Sequence, residues 1–362
     1  MMKEDIYRCL QQRLDQYSLG FPKTETGIEL LILKKLFTKE DAEMFLKMTP
    51  RLENPESVAR RIGASEDAVA RQLEDMASHG LLFRVRKGTS VQYGAIPFMH
   101  GLIEFQVKKL DPEMGMLLKE YLNQAFNKSI TDVEGMFLRT VPIEKSMVSE
   151  HHIAAFDDAV AMIMKNETIA VTECLCRKGE KIMGRGCGKP DENCMMFGSM
   201  ARYYLDNQMG RLVSKEEAVE ILRQAQAAGL VTQPATAQNP SGMCNCCGDC
   251  CVVLGAVKKH SKPAQLVFSN YRACLTREDC IGCEVCLDRC QMGALTMNED
   301  GVAQLNPDRC IGCGLCVTTC PSDALRLEAK PEALRRVPPA NGFEQMMQIA
   351  INRGVISSAG DR

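Results

Sequence analysis

Hydrophobic and polar positions change period along this chain, and the changes mark its parts. Over 24–48 the apolar residues fall at helical spacing, at Ile28, Leu31, Ile32 and Leu36, then Phe45 and Leu46. Residues 56–62 predict a short amphipathic helix stopped by Gly63, and Ser65 with Glu66 and Asp67 opens a second one through Val69, Leu73 and Met76 to Gly80. Residues 81–85 then read as a strand, 87–90 as a turn and 91–96 as a return strand. Residues 98–170 predict mostly helix, with one apolar stripe at Leu117, Leu118, Tyr121, Leu122, Ala125 and Phe126 and another at Ala154, Ala155, Ala159, Met162 and Ile163. His151 and His152 start that second stretch; adjacent helical residues point about 100° apart, so the pair reads as a solvated helix start and not as ligands. Ser214 and Glu217 form a capping box for a helix through Ala218, Ile221, Leu222 and Ala225 that ends near Gly229. Residues 233–242 read as a loop, and 331–362 as a tail or docking helix, with Pro338, Pro339 and a Met-rich helix near Phe343 to Ile349.

The order helix, helix, hairpin over 25–97 resembles the winged-helix domains of many prokaryotic regulators. A recognition helix offers its first residues to base edges. Here those are Ser65, Glu66, Asp67 and Ala68, and the helix carries Glu66, Asp67, Glu74 and Asp75 against Arg71 alone. Carboxylates there repel phosphate. Only the wing, with Arg84, Arg86 and Lys87, is basic. A protein-contact or packing domain is the expected role, and nucleic acid is not an expected partner.

With 362 residues and 45% hydrophobic content the chain can form two or three domains, and a net charge of −2 suggests neither a generic nucleic-acid binder nor an acidic tail. The first residues are charged, with no apolar leader core, and no run reaches the length of a membrane span. The chain has 19 cysteines; Cys9 alone precedes residue 170, and the rest lie between Cys174 and Cys320. Clusters of this kind suit ligands in a reducing compartment better than disulfides. A cytoplasmic protein of an anaerobic host is expected.

Two runs of one spacing carry the strongest chemical signal: Cys280, Cys283, Cys286 and Cys290, then Cys310, Cys313, Cys316 and Cys320. Each is C-x2-C-x2-C-x3-C, in which three thiolates on a tight Gly-containing loop wrap three corners of a cubane and the fourth Cys serves the other cluster. Zinc sites favour paired C-x2-C units with a long gap instead. The expected ligand sets are therefore Cys280, Cys283, Cys286 and Cys320 for one [4Fe-4S] cluster, and Cys310, Cys313, Cys316 and Cys290 for the other. Residues 275–328 resemble the bacterial dicluster ferredoxins, with Gly282 and Gly312 at the loop bends. The resemblance implies a pseudo-twofold fold with short strands at 294–297 and 324–327. That family usually has Pro after the fourth Cys of both runs; here Pro321 follows the second and Gln291 the first.

Nine further cysteines occupy the middle of the chain. Cys174, Cys176, Cys187 and Cys194 surround a Gly-rich, electropositive stretch with Arg177, Lys178, Lys181, Arg185 and Lys189. Nearby cations lower thiolate pKa and offset cluster charge. Cys244, Cys246, Cys247, Cys250 and Cys251 follow within eight residues. Their Cys-Cys-Gly element resembles the cysteine-rich modules of heterodisulfide reductase-type proteins, but the partner C-x2-C is missing and no active site carries over. This second group either completes a site with the first or holds its own centre, as a third [4Fe-4S] cluster or as zinc. Cys274 is a spare and reads as a core residue.

The expected fold is α+β and multidomain. A mostly helical N-terminal half holds a winged-helix-like domain (1–100) and a helical connector (101–170). A Cys-rich metal-binding region (171–270), a dicluster ferredoxin-like domain (271–329) and a tail (330–362) follow. The whole arrangement from the Cys174 loop onward resembles prokaryotic 4Fe-4S binding proteins, which implies cofactor and compartment but no substrate. No nucleotide or flavin motif is present. The expected function is an electron carrier or oxidoreductase subunit rather than a stand-alone enzyme, passing low-potential electrons to a redox partner protein. The alternatives are a redox-responsive winged-helix regulator and a reductase with a catalytic Cys-rich centre.

Overall fold

The computed structural model describes residues 5–132, 138–143 and 157–355, so His151 and His152 lie outside the described residues. Asp5 caps α1 (Ile6–Asp15) by accepting the Tyr7 N–H. The apolar run over 24–48 divides into α2 (Ile28–Leu36) and α3 (Lys39–Lys47). The break falls at Thr38, whose hydroxyl accepts the Asp41 N–H while the Asp41 carboxylate accepts the Thr38 N–H. This reciprocal cap starts a new helix. Helices α4 (Pro55–Ile62) and α5 (Glu66–Ser78) lead into the antiparallel hairpin of β1 (Phe83–Lys87) and β2 (Ser90–Gly94), with Arg84 opposite Tyr93.

The stretch expected to be helical is so only in part. A tight π-type turn at Phe98–Leu102 places His100 at φ 55°, and α6 (Pro112–Tyr121) and α7 (Asn127–Thr131) follow. Residues 138–143 are extended instead. Their N–H groups find distant acceptors: Arg139 donates to Pro234, Thr140 to Phe268, Val141 to Thr232 and Ile143 to Cys313. Strand-like pairing with remote segments has overridden local helical patterning here. The Arg139 side chain is fully buried and pairs with buried Asp157 at 2.8 Å, and Asn270 donates to the other Asp157 oxygen.

The middle of the chain is built on a sheet. After α8 (Ala159–Lys165) come β3 (Ile169–Glu173), α9 (Leu175–Ile182), β4 (Glu192–Phe197), α10 (Gly198–Asp206), β5 (Arg211–Val213), α11 (Lys215–Ala227), β6 (Val231–Pro234) and β7 (Gly242–Cys246). The five strands are antiparallel in the order β5-β3-β4-β7-β6. One face buries Val171, Met195, Phe197 and Met243 against Ile163 of α8 and Leu222 of α11. Each such buried side chain stabilises by roughly 1.5–3 kcal/mol. Helix α10 joins the sheet to the N-terminal hairpin: the Tyr203 hydroxyl lies 2.8 Å from the Ala77 carbonyl and 2.9 Å from that of Leu82.

Helices α12 (Val252–Lys259) and α13 (Pro263–Leu266) connect to a small, symmetric module. There β8 (Tyr271–Leu275), α14 (Val285–Arg289), β9 (Leu295–Met297), β10 (Ala303–Leu305) and β11 (Leu325–Ala329) pair as β9 with β10 and β8 with β11. The C-terminal segment docks on the chain itself. After α15 (Gly342–Asn352), the Arg353 guanidinium donates to the Asp15 and Ser18 carbonyls at 2.7 and 3.1 Å.

Candidate metal centres

The two cysteine runs turn at Gly282 and Gly312, both at left-handed φ near 70°. A Cβ at Gly312 would collide with the Tyr271 carbonyl, so the tight bend requires glycine. Each run receives backbone donors from the strand across the pseudo-twofold. The Ala303 N–H points at Cys280 Sγ and the Ala273 N–H at Cys310 Sγ, both at 3.4 Å, and Ala294 donates to Cys290 Sγ at 3.2 Å. Such donors suit thiolates that share charge with a cluster.

In space, Cys320 stands with Cys280, Cys283 and Cys286, and Cys290 stands with Cys310, Cys313 and Cys316 around one cavity. Burial works against the Cys320 thiolate, but N–H donors from Leu325, Ser322 and Ala324 and the Ser322 hydroxyl outweigh it and hold its pKa below the ordinary thiol value. Burial and the neighbouring Cys290 and Cys310 push Cys313 up to about 12. Thiols collected in this way ionise readily only with a cation at their centre. The donor set therefore fits [4Fe-4S] clusters. The two halves differ in exposure: Cys283 is exposed and Ile281 beside it is 67% exposed, whereas Ile311 and Leu315 of the second loop are buried.

The nine middle cysteines come to one end of the five-stranded sheet and there divide. Cys174 directly follows β3 at the N-cap of α9, and Cys194 lies on β4 opposite Thr172. Cys244 and Cys246 alternate on β7, where side chains two apart share a face. Cys176 sits in the first turn of α9, and Cys251 caps α12 by accepting the Leu254 N–H. Each of these six stands beside two others closely enough to perturb its ionisation. The order Cys174, Cys176, Cys251, Cys246, Cys244, Cys194 returns to Cys174 and closes a ring. S–H donation from Cys176 and Cys194, with Arg177 close by, holds the Cys174 thiol well below its ordinary pKa. The other three, Cys187, Cys247 and Cys250, gather separately, all three sulfurs lying within 4.8 Å of one another. Cys187 thus parts from Cys174, Cys176 and Cys194, its neighbours in sequence. Cys274 lies apart on β8, half-buried rather than in the core, with its thiol pushed up to about 11 by burial and by Glu328.

The cationic stretch is less open than its sequence suggests, because 175–182 is helix rather than loop. Lys178 pairs with Glu173, Lys181 with Asp191 and Arg185 with Glu180. Arg177 is the cation buried against the thiols. It bonds the Asn245 carbonyl and the Asn193 side chain, and its Nε has no hydrogen-bond partner among the described residues. The buried guanidinium favours the ionised form of Cys174, while neighbouring thiols and burial push Cys176, Cys194 and Cys246 up. Sequence reasoning counted Arg177 among five loop cations and missed its special position.

Several hydrogen bonds join the two cysteine regions, among them Arg289 to the Gln226 and Ala227 carbonyls and Arg309 to those of Lys258 and His260, and one lies beside the thiols themselves. The Gly248 N–H, between Cys247 and Cys250, donates to Gln291 Oε1 at 2.7 Å. A Cβ on Gly248 would lie 2.8 Å from the Gln291 carbonyl oxygen, so the approach needs glycine. The residue that stands where a second proline was expected is the bridge, and its signal in the sequence was that departure.

Residues 279–324 match the family of 4Fe-4S dicluster domains. No curated protein and no solved structure matches the chain. The chain carries a ferredoxin-type iron–sulfur module toward its C-terminus, suited to at least one [4Fe-4S] cluster and to electron transfer. Among the described residues no helix is long and apolar enough to cross a membrane.

Proposed function

We propose that this protein is an electron-transfer subunit. Two [4Fe-4S] clusters, held by Cys280, Cys283, Cys286 and Cys320 and by Cys310, Cys313, Cys316 and Cys290, feed a further centre built from the middle cysteines. The observation that carries the reading is the contact between Gln291 and Gly248, because Gln291 follows Cys290 directly and Gly248 lies in the short turn that leads to Cys251 of the six-thiol ring. The exposed loop around Cys283 and Ile281 is then the entry face for a redox partner protein, and the buried loop faces the middle centre. When bound, the clusters supply reversible one-electron storage. The chain's own residues hold the thiolates, donate N–H groups to them and keep water from the second loop.

The helix–helix–hairpin of 55–94 serves this reading as a winged-helix-like scaffold. Arg84 is buried and bonds Glu74 and Asn207, and Arg86 pairs with Glu74 and Asp206. Two of the three wing cations are thus neutralised within the protein, which supports packing over DNA binding. A second reading, a reductase with a catalytic Cys-rich centre, draws support from an apolar pocket between α6, α9 and α12 that reaches Cys176 and Cys250.

The deciding experiment is an anaerobic redox titration followed by EPR with iron counting. About eight iron per chain in the two ferredoxin clusters, with additional iron titrating at a separate potential, is the expected result. Iron confined to the two clusters would remove the relay. A middle-centre spectrum that shifts on adding a disulfide substrate would favour the reductase.

A further inference from the structure

One group of thiols in this chain is set apart from the others by its spacing. No three of the eight ferredoxin sulfurs, and no three of the six ring sulfurs, crowd together within 4.8 Å; among the described residues only Cys187, Cys247 and Cys250 do. Thiolates on a cubane stand apart because each binds a different iron. Thiolates on a single tetrahedral ion share it, and with metal–sulfur bonds of about 2.3 Å their sulfurs fall ~3.8 Å apart. The separation of Cys187 and Cys247 is 3.6 Å.

We propose that Cys187, Cys247 and Cys250 form a mononuclear site for a divalent cation of the zinc class, separate from the six-thiol ring. Three features set its chemistry. The ligands come from two segments, the loop before β4 and the Cys-Cys-Gly turn, so the ion would clamp one to the other. The Cys250 N–H donates to Cys247 Sγ at 3.4 Å, fixing that turn and stabilising the thiolate. No fourth Cys, His, Asp or Glu joins the group among the described residues. Ala225 and Leu230 pack against it instead.

Structural zinc sites are closed by four protein ligands, whereas a site with three keeps one position for a ligand from solution. Cys187 is half-buried, and Cys250 also lines an open groove beside Lys258, Lys259 and Arg309. The fourth position therefore has a route to solvent, through a groove in which Lys119, Lys258, Lys259 and Arg309 outnumber Glu180 and Asp249. A thiolate is the ligand class that suits both the metal and the charge.

The site is independent of the electron-transfer reading, because one is counted in zinc and the other in iron. The test is metal analysis of the anaerobically purified full chain and of its Cys250→Ser and Cys187→Ser variants, with circular dichroism and ferredoxin-cluster absorbance confirming that each folds. About one zinc per chain, lost in both variants while iron stays at the wild-type value, is the expected result. Replacing zinc with Co²⁺ should give an intense thiolate charge-transfer band, with ligand-field bands that move when a small thiol is added. Three outcomes would overturn the proposal: no bound zinc or cobalt in the wild type, loss of iron in the variants, or cobalt bands unmoved by thiol. Should one variant fail to fold, the other variant and the wild-type cobalt spectrum still decide.

Discussion

Gln291 Oε1 accepts the Gly248 N–H at 2.7 Å, and this hydrogen bond ties the ferredoxin module to the middle cysteines. Both partners are anchored: Gln291 is buried behind Cys290, and Gly248 lies between Cys247 and Cys250 in a turn with no room for a side chain. Replacing Gln291 with Ala leaves a buried donor without its acceptor, at a cost of about 1–3 kcal/mol. Iron per chain should stay unchanged, the anaerobic unfolding midpoint should fall, and stopped-flow reduction of the middle centre should slow. An unchanged midpoint and rate would show that the contact neither stabilises nor conducts.

The crossed ligation proposed above predicts a reciprocal labelling pattern. In Cys320→Ser, about four irons should be lost, and iodoacetamide should label Cys283 while Cys313 stays protected. In Cys290→Ser the protection should reverse. Mass spectrometry of the labelled peptides reads both. The opposite pattern would mean that each run ligates its own cluster.

Removing one partner of the buried pair between Arg139 and Asp157 should be costly, because a guanidinium with no solvent access is left unpaired. Asp157→Ala is expected to destabilise the folded chain by about 3–5 kcal/mol, measured as denaturant midpoint under anaerobic conditions. A change within about 0.5 kcal/mol would show that the site relaxes to admit water.

Glu180 links α6 to α9 through Lys119 at 2.7 Å and Arg185 at 2.8 Å. Burial raises its pKa, but the two cations outweigh burial and hold it below the usual carboxylate value. A lowered folded pKa means that the stabilisation is complete above the unfolded value and disappears as pH falls through the folded one. Glu180→Gln should therefore cost roughly 1 kcal/mol at neutral pH. The difference from wild type should narrow as pH falls through the ordinary carboxylate range and close beneath the lowered folded value. A difference constant with pH would assign the effect to packing instead.

Arg84 and Arg86 of the β1–β2 hairpin, paired internally with Glu74 and Asp206, leave little for phosphate. Retention on DNA-cellulose at low salt, with the clusters oxidised or reduced, should be absent. Binding that weakens steeply with added salt would restore the regulator reading.

Much of this protein was legible in its sequence, because the relevant signals are local. The runs from Cys280 and from Cys310 place three thiols on one loop by spacing alone, and Gly282 and Gly312 permit the bend. The helix, helix, hairpin order from 55 to 94 follows from apolar period and caps within a few residues. The middle thiols are different. Whether Cys187 belongs with Cys174 or with Cys247 depends on the register that sets Thr172 opposite Cys194 and Val231 opposite Cys246. Such pairings join segments far apart in the chain, and no local pattern of residues encodes them. The extended run at 138–143 was misread as helix for the same reason, since its backbone partners are Thr232, Pro234, Phe268 and Cys313. The sequence by itself determined that two loops of matched cysteine spacing form a dicluster-type module and how those loops bend. Only the tertiary structure decided how nine further thiols divide into six and three, because that division follows from long-range strand pairing.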